Sequence, residues 1–177
     1  MIFVLFLIFE NSFDTKIQNY VQKQRTPFLD KTFNIITHSG DKVTFLAVET
    51  LLATCFSEYE RDDAKLLLFG VLSSSVFTSL LKFLTKRERP SGEASNPWNS
   101  SFPSGHASSA FTFATIMSSR HENIKIPLYA WASLVGFSRI YLNKHWTTDV
   151  IAGALLGITF GYITLKFKDN ILKFSFL

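Results

Sequence analysis

A single cysteine, Cys55, stands in the 177 residues, so an internal disulfide and a cysteine metal cage are both excluded. The chain also lacks a basic stripe interleaved with aromatics. Nucleic acid is therefore the weakest of the partners that a net charge of +4 admits, and a membrane surface or phosphate-bearing substrates remain. The N-terminal MIFVLFLIF has no basic region before it and no small-residue cleavage site after it, unlike a secretory leader. Neither an internal repeat nor a low-complexity tract is found, and the length suits one domain, 1–177. Missing, too, is any uncharged run of the roughly 20 residues that a membrane-spanning helix needs.

What the chain does have is a series of shorter apolar blocks with charge clustered between them. They cover residues 43–56, broken only by Glu49, then 66–81, 107–119, 126–138 and 150–165. Phe, Leu and Ile occupy most faces of each block rather than one stripe, the pattern of a helix buried all round. Each block spans a bilayer if its polar ends lie in the interface or in a water-filled cavity. A soluble bundle of long buried helices is the alternative. Small residues recur every fourth position at Gly153, Gly157 and Gly161, and at Ala110, Ala114 and Ser118, a spacing that lets helices approach closely in lipid. The expected fold is all-α, a polytopic membrane helix bundle of five to six spanning helices. Residues 1–42 form short apolar and interfacial helices, and 43–165 form the bundle core. Glu49 inside a block is either functional or interfacial. His38, in THSGDK, and His121, in SRHENIK, read as loop histidines.

Three polar clusters punctuate the blocks. KFLTKRERP (82–90) places Lys82 and Arg89 seven positions apart, with Pro90 following. The second, Pro103-Ser104-Gly105-His106, stands directly before an uncharged helix. Ser104 suits a helix cap, Gly105 admits close approach, and His106 falls where unpaired N–H groups attract anions. This is a phosphate cradle or simply a well-capped helix start. SRIYLNKHWTTD (138–149) holds Arg139, His145 and Asp149. If each block crosses once, all three clusters land on one membrane face. Lys82, Arg89 and Arg139 then offer fixed cations to an oxyanion. A carboxylate four residues from an imidazole, on one face if the segment is helical, fixes the tautomer and frees the other nitrogen as nucleophile. His106 is placed to protonate a departing oxygen. On residues alone the alternatives stay open: Lys82, Lys86 and Arg87 as snorkelling interface residues, and His145 with Asp149 as metal ligands or a surface contact.

Together the clusters resemble the three-part signature of the type 2 phosphatidic acid phosphatase superfamily. That signature is Lys, six residues, Arg-Pro; Pro-Ser-Gly-His; and Ser-Arg, five residues, His, three residues, Asp. All three parts match, in order and without substitution. The resemblance implies that Lys82, Arg89, Ser104, Gly105 and Arg139 hold the phosphate. It further implies that His145 becomes a phosphohistidine oriented by Asp149, that His106 supplies the proton, and that no metal or other cofactor takes part. It also implies six spans, of which the first has only residues 1–9 to supply it. By likeness to small bacterial members it places a multi-pass protein in the inner membrane with its site facing the periplasm. The partners so implied are the bilayer and a phospholipid, polyprenyl or lipid A phosphate substrate, with no obligatory protein partner. Phosphatases of soluble substrates are the rival within the class. A membrane anion carrier or lipid-binding scaffold is the rival outside it.

Overall fold

The computed structural model describes residues 2–55, 57–92 and 96–173. Side chains are described from residue 12 onward, except those of 42, 43, 46, 52, 53 and 55. Helices follow one another as α1 (Ile2–Lys23), α2 (Pro27–Ser39), α3 (Lys42–Cys55), α4 (Glu58–Thr85), α5 (Gly105–Arg120), α6 (Lys125–Tyr141), α7 (Thr147–Lys166) and α8 (Lys168–Leu172), with no strand among the described residues. Each of the five apolar blocks lies within one of the helices α3 to α7, residue 56 of the first block falling outside the described residues. The N-terminal segment is one continuous helix to Lys23, where the sequence predicts a short apolar stretch and then an interfacial pair. The break after it has a local cause: Thr26 caps α2 by accepting from the Leu29 amide, and Pro27 occupies its first position. Whether 1–9 make a span rests on side chains outside the described residues.

Among the described residues, two helices are long and apolar enough to cross a membrane: α4, with 28 residues, and α7, with 20. At 1.5 Å per residue they extend roughly 42 and 30 Å, against a hydrocarbon core of about 30 Å. Helix α5 is the centre of the bundle, packed most extensively against α7 and then against α6 and α4. Glycines set the α5–α7 spacing. A Cβ at Gly153 would fall 2.4 Å from the Ser104 carbonyl oxygen, and one at Gly157 would fall 2.3 Å from that of Ser108. The small residues of α5 face another way. Ala110 and Ala114 are fully buried with Phe45, Ala132 and Val135, so they admit α3 and α6 instead.

Polar contacts close both ends. Gln18 and Gln22 of α1 donate to the Ile140 and Tyr141 carbonyls in the last turn of α6. At the opposite end of the bundle the fully buried Asp63 accepts from Arg120 Nε at 2.5 Å and pairs with His121 Nε2 at 2.7 Å. His121 is thus a structural tie between α4 and the end of α5 rather than a plain loop residue.

Because the clash at Gly153 is with backbone, α7 cannot relieve it by a rotamer change. Gly153→Ala should cost about 1–3 kcal/mol, the usual toll of overpacking, and should move the first turn of α5. Thermal unfolding in detergent reads the loss, and an unchanged midpoint contradicts the assigned spacing.

Candidate active site

The three sequence clusters meet at one end of the bundle because each has a residue at a helix end. Lys82 is in the last turn of α4, His106 in the first turn of α5, and Arg139 in the last turn of α6. His145 lies in the connection to α7. A cavity of about 390 Å³ opens among them, lined by Lys82, Arg89, Gly105, His106, Arg139 and His145 together with residues outside the clusters. A Cβ at Gly105 would meet nothing closer than Thr78 Cγ2 at 3.9 Å, so the glycine leaves room at the cavity wall. Ser104 and Asp149 are fully buried and stand behind the wall. Ser104 caps α5, its side chain accepting from the Ala107 amide.

The cations also brace the loops around the cavity. Lys82 Nζ donates to the Ser100 carbonyl. Arg89 donates to the Asn99 side chain at 2.7 Å and to the Lys144 carbonyl at 3.1 Å, so it holds both loops at once. Arg139 donates to Thr37 Oγ1 at 2.6 Å, bringing α2 to the site. Trp98, 62% exposed, stands at the rim against the Phe83 ring.

His145 and Asp149 do not share a helix face. Helix α7 starts at Thr147, and Asp149 is turned back to close its first turn by accepting from the Trp146 amide at 2.8 Å. The two side chains are 3.6 Å apart, an ion-pair separation too long for a hydrogen bond. His145 Nδ1 instead donates to the Ser101 carbonyl at 2.7 Å. A carbonyl can only accept, so Nδ1 carries the proton and Nε2 keeps its lone pair. Asp149 acts on this bond from the far side, since Ser101 Oγ donates to its Oδ2 at 2.5 Å. Burial, aided by Lys82 and Arg139 and only partly offset by Asp149, pushes the His145 imidazole down to about 3. At neutral pH it is therefore an uncharged ring with a fixed tautomer, the form a nucleophile requires.

Four side chains at the site escaped the sequence reading as site residues. Arg87, an interface candidate by sequence, bonds Asp149 Oδ1 at 2.5 Å and Asp14 Oδ2 at 2.6 Å. Asp14, on α1, also accepts from the Thr148 amide at 2.9 Å and so caps α7 from another helix. Ser101 is the link already described, and Asp41 pairs with His106 Nε2 at 2.5 Å. Arg87, inside the first cluster, and Ser101, beside the second, gave a local signal, whereas Asp14 and Asp41 gave none. Among the described residues no group of His, Cys, Asp and Glu is arranged to hold a metal ion.

Residues 63–173 match the model of the PAP2 superfamily. The chain belongs to that superfamily. It is similar to the lipid A 1-phosphatase of Porphyromonas gingivalis, with 38% identity over 96 residues, covering 52% of this chain and 21% of that protein. It is similar as well to the undecaprenyl-diphosphatase BcrC of Bacillus subtilis, at 33% over 76 residues, covering 43% of this chain and 39% of BcrC. The chain thus spans well under half the length of either relative. The crystal structure of a transmembrane PAP2-type phosphatidylglycerolphosphate phosphatase from Bacillus subtilis superposes with a TM-score of 0.80 at 27% identity, covering 98% of this chain and 96% of that one. With α4 and α7 able to cross a bilayer, this PAP2 member is a membrane protein.

Two outcomes follow for this PAP2 site. Arg87→Ala leaves Asp14 and Asp149 buried without their shared cation and should cost about 3–5 kcal/mol, as breaking a buried pair does. The unfolding midpoint in detergent should fall accordingly, and an unchanged midpoint contradicts the shared pairing. Because the His145 pKa is lowered, the ring should stay neutral as the pH falls through 6.5, and its ¹⁵N shifts in labelled protein should keep the Nδ1–H pattern at pH 5. A charged His145 signal near pH 6.5 contradicts the assignment.

Proposed function

We propose that this chain is an integral membrane lipid phosphatase that removes phosphate from a lipid monophosphate or diphosphate through a phosphohistidine on His145. One observation carries the reading: His145, its tautomer fixed to leave Nε2 available, shares a cavity with Lys82, Arg89, Arg139 and His106. Lys82, Arg89 and Arg139, with the backbone amides of the first turn of α5 from Gly105 onward, hold the phosphoryl oxygens and the charge that develops on them, while Ser104, its amide on the Asp149 carbonyl, anchors that turn. His145 Nε2 attacks phosphorus, the bond to the lipid oxygen breaks, and His106 gives that oxygen its proton. Water then attacks the phosphohistidine and returns a proton to His106. The P–N bond breaks, and inorganic phosphate leaves. Asp149 orients the nucleophile through Ser101 as well as through its charge.

In this reading α3 to α7 each cross the membrane once. Helices α3, α5 and α6 extend roughly 21–26 Å at 1.5 Å per residue, somewhat less than the hydrocarbon core. Their polar ends then lie in the interface or face the cavity. The site sits at head-group depth in the inner membrane and faces the periplasm, the side taken by the small bacterial members that the signature resembles. A lipid tail can stay in hydrocarbon while its phosphate enters sideways. The short connection between α4 and α5 leaves the cavity open to a bulky head group. Lipid A 1-phosphate and undecaprenyl diphosphate rank together as substrates, followed by phosphatidylglycerol phosphate and phosphatidic acid.

The test is phosphate release from these lipids in mixed micelles, beside short-chain soluble analogues and with chelator present. Long-chain substrates should have the higher kcat/KM. His145→Ala should abolish turnover, His106→Ala should lower it by about 10²–10⁴-fold, and Asp149→Asn should impair it. Equal constants for tail-free substrates favour the soluble-substrate rival. Loss of activity in chelator, restored by added metal, favours a metal mechanism. No phosphate release from any of them favours the carrier or scaffold.

A further inference from the structure

Asp41 lines the cavity, yet none of the steps above employs it. It stands in the corner between α2 and α3, outside all three sequence clusters. One carboxylate oxygen is 2.5 Å from His106 Nε2, and the other is 2.8 Å from Nδ1 of the exposed His38. The corner is firmly placed. A Cβ on Gly40 would fall 2.4 Å from Val135 Cγ1, so the turn lies directly on α6. Trp131 Nε1 donates to Ser39 Oγ at 2.9 Å, and Arg139 bonds Thr37 one turn earlier. The Asp41 carbonyl accepts from the Phe45 amide at 3.1 Å and joins the corner to α3. Burial opposes a charge on Asp41, but hydrogen bonds with His38 and His106 outweigh it and hold the carboxyl below its usual range.

We propose that Asp41 is the positioning residue for His106, anchoring Nε2 and supplying the counter-charge while Nδ1 carries the proton exchanged with the substrate. The proposal rests on the phosphatase reading and extends it. A charged imidazole beside Arg89 and Arg139, which line the same cavity, is repelled by both unless a carboxylate accompanies it. The proton transfer is the one already written. As the P–O bond breaks, the Nδ1 proton passes to the lipid oxygen. As water attacks the phosphohistidine, a proton returns to Nδ1. The Nε2 proton stays on its bond to Asp41 throughout, so the ring keeps one orientation through both half-reactions.

The leaving group separates this role from a structural one. A lipid alkoxide needs a proton to depart, whereas 4-nitrophenolate leaves without one. With a glycerolipid phosphate, Asp41→Asn should lower kcat about ten- to a hundredfold, part of the usual worth of a general acid, with KM little changed. With 4-nitrophenyl phosphate it should change kcat/KM, which reports only the steps up to nitrophenolate departure, by less than about threefold, because little general-acid help is at stake there. Asp41→Glu should recover part of the loss, and Asp41→Asn added to His106→Ala should cost nothing further. Equal losses on both substrates, additive losses in the double variant, or unaltered kinetics would each overturn the proposal. A wild-type chain that releases phosphate from neither substrate would overturn the phosphatase reading itself. An active wild type with an indifferent Asp41→Asn would overturn the Asp41 role alone.

Discussion

A carboxylate with no access to water must be surrounded by donors, and Asp149 shows what that demand does to a fold. It is fully buried at the start of α7 and takes hydrogen bonds from Arg87, Ser101 and the Trp146 amide. These partners come from the end of α4, the loop before α5 and its own helix start. Its backbone carbonyl accepts from the Ser104 amide at 2.9 Å, which fixes where α5 begins. The Ser101 carbonyl that holds His145 is placed by the same side chain. Position of the imidazole, start of the α5 helix and closure of α7 are thus one constraint, because leaving any of these donors unmatched around a buried charge is costly.

The arrangement favours geometry over stability. Two buried carboxylates share the Arg87 guanidinium, and such clusters seldom stabilise a protein more than an apolar core of the same volume. What they provide is direction, since a planar guanidinium satisfies Asp14 and Asp149 only in a narrow range of orientations. Packing carries the same precision down the bundle. Gly153 and Gly157 let α7 lie against α5 backbone, so the helix bearing Asp149 and the helix bearing His106 are held at a separation that side chains cannot vary.

The sequence made the main chain of this logic legible in some places and silent in others. Apolar blocks located α3 to α7 because hydrophobic runs and charge breaks are local signals. The clusters located Lys82, Arg89, His106, Arg139 and His145 because the spacing of those residues is local too. Arg87 looked like an interface residue, since its partners Asp14 and Asp149 lie 73 and 62 positions away. Asp41 is 65 positions from His106 and stands in what reads as an ordinary turn. The condition under which His145 and Asp149 would share a helix face is not met, for a definite reason. Asp149 itself starts the helix, by bonding the Trp146 amide, and so leaves His145 outside it.

The division of charge along the chain has a consequence for how such a protein can be built. Residues 63–173, which match the family model, carry the cations, both cavity imidazoles and Asp149. The two further carboxylates come from upstream of that stretch, Asp14 from α1 and Asp41 from the corner between α2 and α3. The upstream segment therefore works as an electrostatic complement to the matched helices, touching Arg87 through one acid and His106 through the other. A segment exchanged from another member of the superfamily would have to present an acid at both places to sit well on this core. The N-terminal segment and the cavity are then free to diverge only together, as a matched pair.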